Sequence, residues 1–383
     1  MKTTLTYSAW NMFRNCPRAY EWRYEKHLVP LQANENLMFG SVIHKCLELW
    51  YKHFDAKQVY AYIDNVFPQR IEFLKNGVPN LYYIPEQKTA WQKAQAMMDG
   101  YFLKYPEEPF DVFAVEDVFG GDIINPATQA KSKKIDIKGK VDGIVKMKNS
   151  GEYYLLEHKT ASIINDIYLA KLPCDTQITL YTIYAEKKYN IPIAGIIYNI
   201  LGKTKTIQEI GETEEEFRIR YAEACAKNKS GKSSATRKLP ESDELFQARL
   251  AGQYSTPDTT KFHRETLILS DCAKSTLQRN LWSYTQQLLQ VKRSGYYPQN
   301  HSSCFNQYQR ACDYFPICYA GETSGLVEQI ILEKYVVKPP HVELREEKEE
   351  KTIFALTQNY SNPPIDITDL SKQKAISKIL LAS

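Results

Sequence analysis

The residues best suited to chemistry lie between Lys138 and Thr160, in KGKVDGIVKMKNSGEYYLLEHKT. An Ile- and Val-rich segment over about 136–148 meets a turn-prone Asn149-Ser150-Gly151. Tyr153, Tyr154, Leu155 and Leu156 then precede Glu157. This pattern predicts a β-hairpin. Side chains on a strand alternate faces, so Glu157 and Lys159 share one face and His158 takes the other. With Asp142 across from them, two carboxylates and one ammonium meet at a sheet edge. Such carboxylates, helped by a main-chain carbonyl, suit a hard, oxygen-seeking ion such as Mg²⁺ or Mn²⁺. The ion acidifies water and stabilises phosphate charge. The lysine orients water or stabilises the developing negative charge. Glu-x-Lys alone is equally the pattern of a solvated strand. Asp142, set inside Val-Asp-Gly-Ile-Val, argues for a use, because Asp is disfavoured within strands.

Asp142-Gly143-Ile144-Val145, the hairpin and then Leu155-Leu156-Glu157-x-Lys159-Thr160 resemble the PD-(D/E)XK nuclease superfamily in its RecB-like branch. Further short motifs carry the same resemblance. Gly40, His44, Leu47 and Glu48 match G-x-x-x-H-x-x-L-E, in which the histidine is a further metal ligand. Gln177 and Tyr181 match Q-x-x-x-Y, and their spacing gives them one helix face, from which they position a phosphate or water. At the N-terminus, Ser8, Phe13, Cys16-Pro17, Tyr20 and Tyr24 resemble the entry of RecB-like nucleases with an iron–sulfur cluster, including AddB-type subunits and CRISPR-associated adaptation exonucleases. The resemblance implies catalytic roles for Asp142, Glu157, Lys159, Gln177 and Tyr181. It implies a metal site drawn from His44, Asp142, Glu157 and His158. It also makes Cys16, Cys304, Cys312 and Cys318 ligands of a [4Fe–4S] cluster. Cys312-x5-Cys318 has the family spacing, whereas Cys304 and Cys312 stand further apart than in Cys-x-x-Cys-x5-Cys. Sulfur ligands select iron–sulfur clusters or Zn²⁺, so Zn²⁺ is the competing occupant.

The elements that must position these residues follow in order: helix 40–53, strands 110–119, 136–148 and 152–159, helix 175–189 and strand 194–200. That αβββαβ order is the α/β, restriction-endonuclease-like core of the superfamily. Residues 55–105 have helical apolar spacing and are expected as an insertion after the first core helix. Asp175 is the expected N-cap of the Gln177 helix. Glu116, on the first core strand, is expected beside the site or exposed. Residues 213–226 and 271–293 are expected to be helical, and 261–270 a strand. The basic stretch 227–238 is read as a surface loop. Residues 1–320 are expected to form the nuclease domain, with cluster-binding segments at 6–27 and 300–320. Residues 321–383, with the charge run ELREEKEEK and a short terminal amphipathic helix, form an extension beyond the resemblance.

The 383-residue composition, 43% hydrophobic and 25% charged, is that of an ordinary globular chain. No apolar run approaches the roughly 20 residues of a membrane span. MKTTLTYSAWNMFRNCP lacks an apolar export core, so a cytoplasmic protein is expected. The net charge of only +4 confines any nucleic-acid footprint to a local patch. Of the eight cysteines, the clustered ones point, in an intracellular protein, to a metal or redox site rather than disulfides, and the isolated Cys46, Cys174, Cys225 and Cys272 are expected as small buried residues. The resemblance implies a Mg²⁺- or Mn²⁺-dependent deoxyribonuclease acting on single strands or ends of DNA in recombination, repair or replication. No P-loop is present, so unwinding requires a partner helicase or related protein. The alternatives are a catalytically silent DNA-binding subunit, disfavoured by the complete Asp142, Glu157 and Lys159 set, and an RNA-processing nuclease with the same core.

Overall fold

A computed structural model of the chain describes residues 2–31, 35–77, 83–228, 231–306, 309–323, 325–341 and Leu344. The charge run after residue 344 and the expected terminal helix lie outside the described residues.

The chain opens with a short strand β1 (Thr3–Leu5), and Thr6 caps helix α1 (Tyr7–Asn15) by accepting from Ala9 N at 3.2 Å. The N-terminal segment is not one continuous helix. Cys16 is extended, with φ −158°, between α1 and the short α2 (Pro17–Tyr20), which runs into a π-helical turn over Glu21–Glu25. Pro17 explains the break, since it restricts the residue before it to extended backbone. Strand β2 (Leu28–Pro30) follows. Then come the helices α3 (Glu35–His53), α4 (Ala56–Gly77) and α5 (Tyr83–Lys104), and the strands β3 (Phe110–Ile124), β4 (Lys131–Met147) and β5 (Tyr153–Ala161).

Short α6 (Asp166–Lys171) leads to α7 (Thr176–Tyr189) and β6 (Ile193–Gly202). Asp175 caps α7 by accepting from Gln177 N. Beyond the core lie α8 (Glu214–Lys227), α9 (Asp243–Tyr254), β7 (Phe262–Ile268) and α10 (Asp271–Ser294), the last ended by Gly295 in left-handed backbone. α11 (Phe315–Thr323), α12 (Val327–Lys334) and β8 (Tyr335–Val337) close the described chain. The expected αβββαβ order is therefore present as α3, β3, β4, β5, α7 and β6, with α4 and α5 between its first two elements.

These strands form a mixed six-stranded sheet in the order β1-β4-β5-β6-β7, with β3 also paired to β4. β5 and β6 run parallel, as a crossover through α7 requires. Helices cover both faces, giving three layers. On one face Trp10, Phe13, Ile137, Ile178, Tyr198, Leu281 and Leu288 join α1, α7 and α10 to the sheet. On the other, Ile43, Leu47, Ile63, Met97, Leu156, Ile197, Phe246 and Tyr254 join α3, α4, α5 and α9. A smaller cluster of Ala19, Leu28, Tyr314, Ile317, Ile331 and Tyr335 ties the N-terminal segment to the C-terminal helices. There β2 pairs antiparallel with β8.

Among the described residues, no helix is long and apolar enough to cross a membrane.

Candidate active site

β4 is flanked along its length by β3. On its other edge it meets two different strands. Gly143–Lys146 pair antiparallel with β5, and Ile135–Ile137 pair parallel with β1. Residues 138–142 have no strand partner on that edge among the described residues. The β4–β5 ladder ends at Gly143↔Leu156, so Asp142 and Glu157 are the first residues past the last pair and face into the opening. Alternation also breaks there: Val141 and Ile144, three positions apart, pack into the same core.

The opening lets the two layers meet. From the α3 side His44 Nδ1 reaches within 3.4 Å of Asp142 Oδ2. Gly40, one turn earlier, passes so close to β5 that a Cβ would lie 3.3 Å from Thr160 Oγ1. From the α7 side, Lys159 Nζ lies 2.6 Å from Glu157 Oε1 and 3.6 Å from Asp175 Oδ2. The His158 main-chain N–H donates to Asp142 Oδ2 at 2.8 Å. Gln177 bonds the Tyr181 hydroxyl, and Tyr181 lies within electrostatic reach of Glu157, Asp142 and Lys159. The sequence-expected residues His44, Asp142, Glu157, Lys159, Gln177 and Tyr181 are thus brought together.

His158 adjoins them as well, its ring edge-on to that of His44 with centroids 6.0 Å apart. Its ring is buried on the α3 side, stacked on Tyr51 with an interplanar angle of 11°, and Asn199 Nδ2 lies 3.0 Å from its Nδ1. Burial holds it neutral, with a pKa lowered to about 3.

The charges in the opening depend on one another. Glu157 is pushed up to about 7, by burial first and then by Asp142, against the pull of Lys159. Burial acts on Asp142 in the same sense, yet His44 and the His158 N–H hold it below the usual carboxylate range. Desolvation draws His44 down, but Asp142 outweighs it and raises the imidazole to about 9. Lys159 loses to burial and gains more from Glu157 and Asp175, so it is held well above the ordinary lysine value.

Two residues that no motif assigned join this set. Asp175, expected only as a cap, also pairs with Lys159. Glu116 has φ 51°, rare for a non-glycine residue. The pairs Val115↔Gly143 and Asp117↔Val141 place it across from Asp142. Its carboxyl is raised by burial and by Asp142, and it pairs with Lys140 at 2.5 Å. Glu116 was expected beside the site or exposed, and its carboxyl lies beside Asp142. Its left-handed backbone gave no signal in the sequence.

A family model described as the PD-(D/E)XK nuclease superfamily matches residues 4–319. The chain belongs to that superfamily. No curated protein matches the chain. PD-(D/E)XK proteins are nucleases, and they use divalent metals such as Mg²⁺ or Mn²⁺. In this member no three His, Cys, Asp or Glu side chains among the described residues form a ready metal-binding group. The donor chemistry nevertheless fits a divalent cation. Two adjoining carboxylates, one of them raised to about 7, are now balanced by a side-chain imidazolium and an ammonium, which is the charge a hard dication supplies. His44, Asp142 and Glu157 are the residues that would hold it.

The superfamily match also spans the cysteine segments. Cys16, Cys304, Cys312 and Cys318 line one cavity, with Ala19, Asn300, Tyr314 and Phe315 among its other walls. Cys312 N–H donates to Cys304 O at 2.7 Å. Cys312 feels both Cys16 and Cys304, and Cys318 feels Cys16 and Cys312. Burial pushes Cys318 up to about 11. The buried Trp22 Nε1 has no hydrogen-bond partner, and it lies near enough to Cys318 to draw the thiol pKa down against burial. As placed, the four thiols are not a closed coordination group, though all four line the one cavity and sulfur is the ligand type that a thiolate-held centre takes.

Proposed function

We propose that this protein is a Mg²⁺- or Mn²⁺-dependent deoxyribonuclease that hydrolyses phosphodiester bonds in single strands or at DNA ends, in recombination, repair or replication. The observation that carries the reading is the meeting of Asp142, Glu157 and Lys159 where β4 and β5 part, with His44 at 3.4 Å from Asp142. When bound, the divalent ion supplies Lewis acidity toward phosphate and acidity to water. Asp142 and Glu157 would hold it with their carboxylates, and His44, its proton released to solvent, would hold it through a neutral imidazole nitrogen. Lys159, kept cationic by Glu157 and Asp175, stabilises charge that builds on the phosphate. Gln177 and Tyr181, on the α7 side, orient the phosphate. We further propose that Cys16, Cys304, Cys312 and Cys318 hold a [4Fe–4S] cluster that clips the C-terminal segment to the first helices. The convergence of the four on one cavity supports this.

The test is incubation of anaerobically purified protein with labelled single-stranded DNA, duplex DNA and RNA in Mn²⁺, beside Glu157→Gln. Metal-dependent loss of DNA that the variant abolishes is expected. Equal activity in the variant, or no cleavage of DNA by the wild type, overturns the reading. Preferential loss of RNA moves the substrate class.

A further inference from the structure

Behind the site, β7 and α5 supply a polar network that no motif announces. Arg264 makes a two-point pair with Glu108, Nη1 to Oε2 at 2.6 Å and Nη2 to Oε1 at 2.8 Å. The same guanidinium donates to Tyr51 Oη at 3.2 Å, to Tyr101 Oη at 3.1 Å and, through Nε, to Asn199 Oδ1 at 3.3 Å. The Tyr105 ring lies 3.6 Å from its Cζ.

Donor and acceptor inventories fix the direction of these bonds. Tyr51 gives its single proton to Glu108, so Tyr101 is the donor in the 2.5 Å contact between the two hydroxyls. An arginine only donates, so Asn199 turns its oxygen to Arg264. Its amide nitrogen then faces Tyr101 Oη at 2.8 Å and His158 Nδ1 at 3.0 Å. That nitrogen has only hydrogens to offer. His158 Nδ1 is therefore the bare, accepting nitrogen, and the ring proton is on Nε2. The stacked Tyr51 ring leaves the imidazole one plane to occupy.

We propose that Arg264, Asn199 and His158 form a positioning relay that fixes the main chain at residue 158, and through its N–H the carboxylate of Asp142. β5 stays paired with β6 through Ala161, with His158 beside Asn199, so it is on its β4 edge alone that the strand is open. β5 has lost its β4 partner beyond Leu156, and the bond from the His158 N–H to Asp142 Oδ2 rejoins the two strands there. Glu157 and Lys159 flank the anchored residue, so its placement sets theirs. A buried ionic network is replaceable by apolar side chains at little cost in stability. Its value here is orientation, as for partners that hold ligand side chains in place. None of the three touches substrate in this reading. The relay rests on the nuclease reading only for its kinetic consequence.

The experiment uses the full chain labelled with ¹⁵N-histidine, with His158→Gln to assign the resonance. In the wild type the His158 ring should show a bare Nδ1 and a protonated Nε2. Asn199→Asp, of the same shape, offers Nδ1 an acceptor and should move the proton to Nδ1. It should weaken Mn²⁺ binding, followed by calorimetry, or lower kcat on single-stranded DNA, by about 10–100-fold with little change in KM. A wild-type ring protonated on Nδ1 overturns the relay, whether or not the variant folds. So does an Asn199→Asp protein with wild-type ring nitrogens, Mn²⁺ affinity and kcat. A wild type that cleaves no nucleic acid counts against the nuclease reading alone, because ring tautomer and Mn²⁺ affinity are measured without turnover.

Discussion

His44 Nδ1 stands 3.4 Å from Asp142 Oδ2, although the two belong to different layers of the fold. Their closeness makes metal-free stability depend on pH. His44 binds its proton more tightly in the folded state, with a pKa raised from 6.5 to about 9. Its contribution is full below pH 6.5 and is lost as pH rises through about 9. Glu157, raised from 4.5 to about 7, acts in the same sense over its own lower window. In EDTA the protein should therefore melt at a lower temperature at pH 9 than at pH 6.5. Mn²⁺ should reverse the trend, because neutral imidazole and ionised carboxylate are the metal-binding forms. Scanning calorimetry at both pH values decides it, and a flat profile in EDTA contradicts the pairing.

Glu157→Gln keeps the shape of the side chain and removes its charge. Cleavage should fall by about 10²-fold or more, the scale of a lost electrostatic stabiliser. The melting temperature should hold or rise, since a buried carboxylate held at a raised pKa opposes folding at neutral pH. Lys159→Met should lower kcat and also destabilise, because it leaves Glu157, whose side chain is only 4% exposed, without its partner.

Glu116→Gly separates backbone strain from chemistry. A non-glycine residue in left-handed backbone costs roughly 1–2 kcal/mol, and glycine gives part of that back as lost chain entropy. Urea unfolding should show a net gain of roughly 0.5–1 kcal/mol. Cleavage should slow, because the carboxyl facing Asp142 is gone. A variant that is both less stable and fully active would place Glu116 outside the site.

Cys318→Ala should remove the visible absorbance of anaerobically purified protein and lower its melting temperature. Cys46→Ala, in a buried cysteine away from the cavity, should keep the colour. Ultraviolet–visible spectra and iron analysis of both variants test the assignment. A colourless, zinc-containing wild type would favour the competing occupant.

The core order was legible because its strands are dense in Val and Ile and its site residues fall at short, fixed spacings. Glu157 and Lys159 shared a face by strand period alone, and Asp175 announced the start of α7. Arg264 was invisible as a partner of Glu108, 156 positions away in sequence, since spacing reports nothing about such distant meetings. The pairing of β1 with β4 and of β2 with β8 was hidden as well, because β1, β2 and β8 are only three residues long. His158 shows a further limit. Strand alternation put its ring on the far face, and only the structure shows Asn199 and Tyr51 waiting there.

The pairing of β2 with β8 has a consequence during synthesis. Ala19, Trp22 and Leu28 leave the ribosome long before Tyr314, Ile331 and Tyr335, which pack against them. At about 5–20 residues per second, the wait for some 300 further residues is on the order of 15–60 s. Throughout it the nascent chain carries an uncovered apolar segment, a natural target for a holding chaperone. A message truncated before α11 would leave that segment bare for the life of the product.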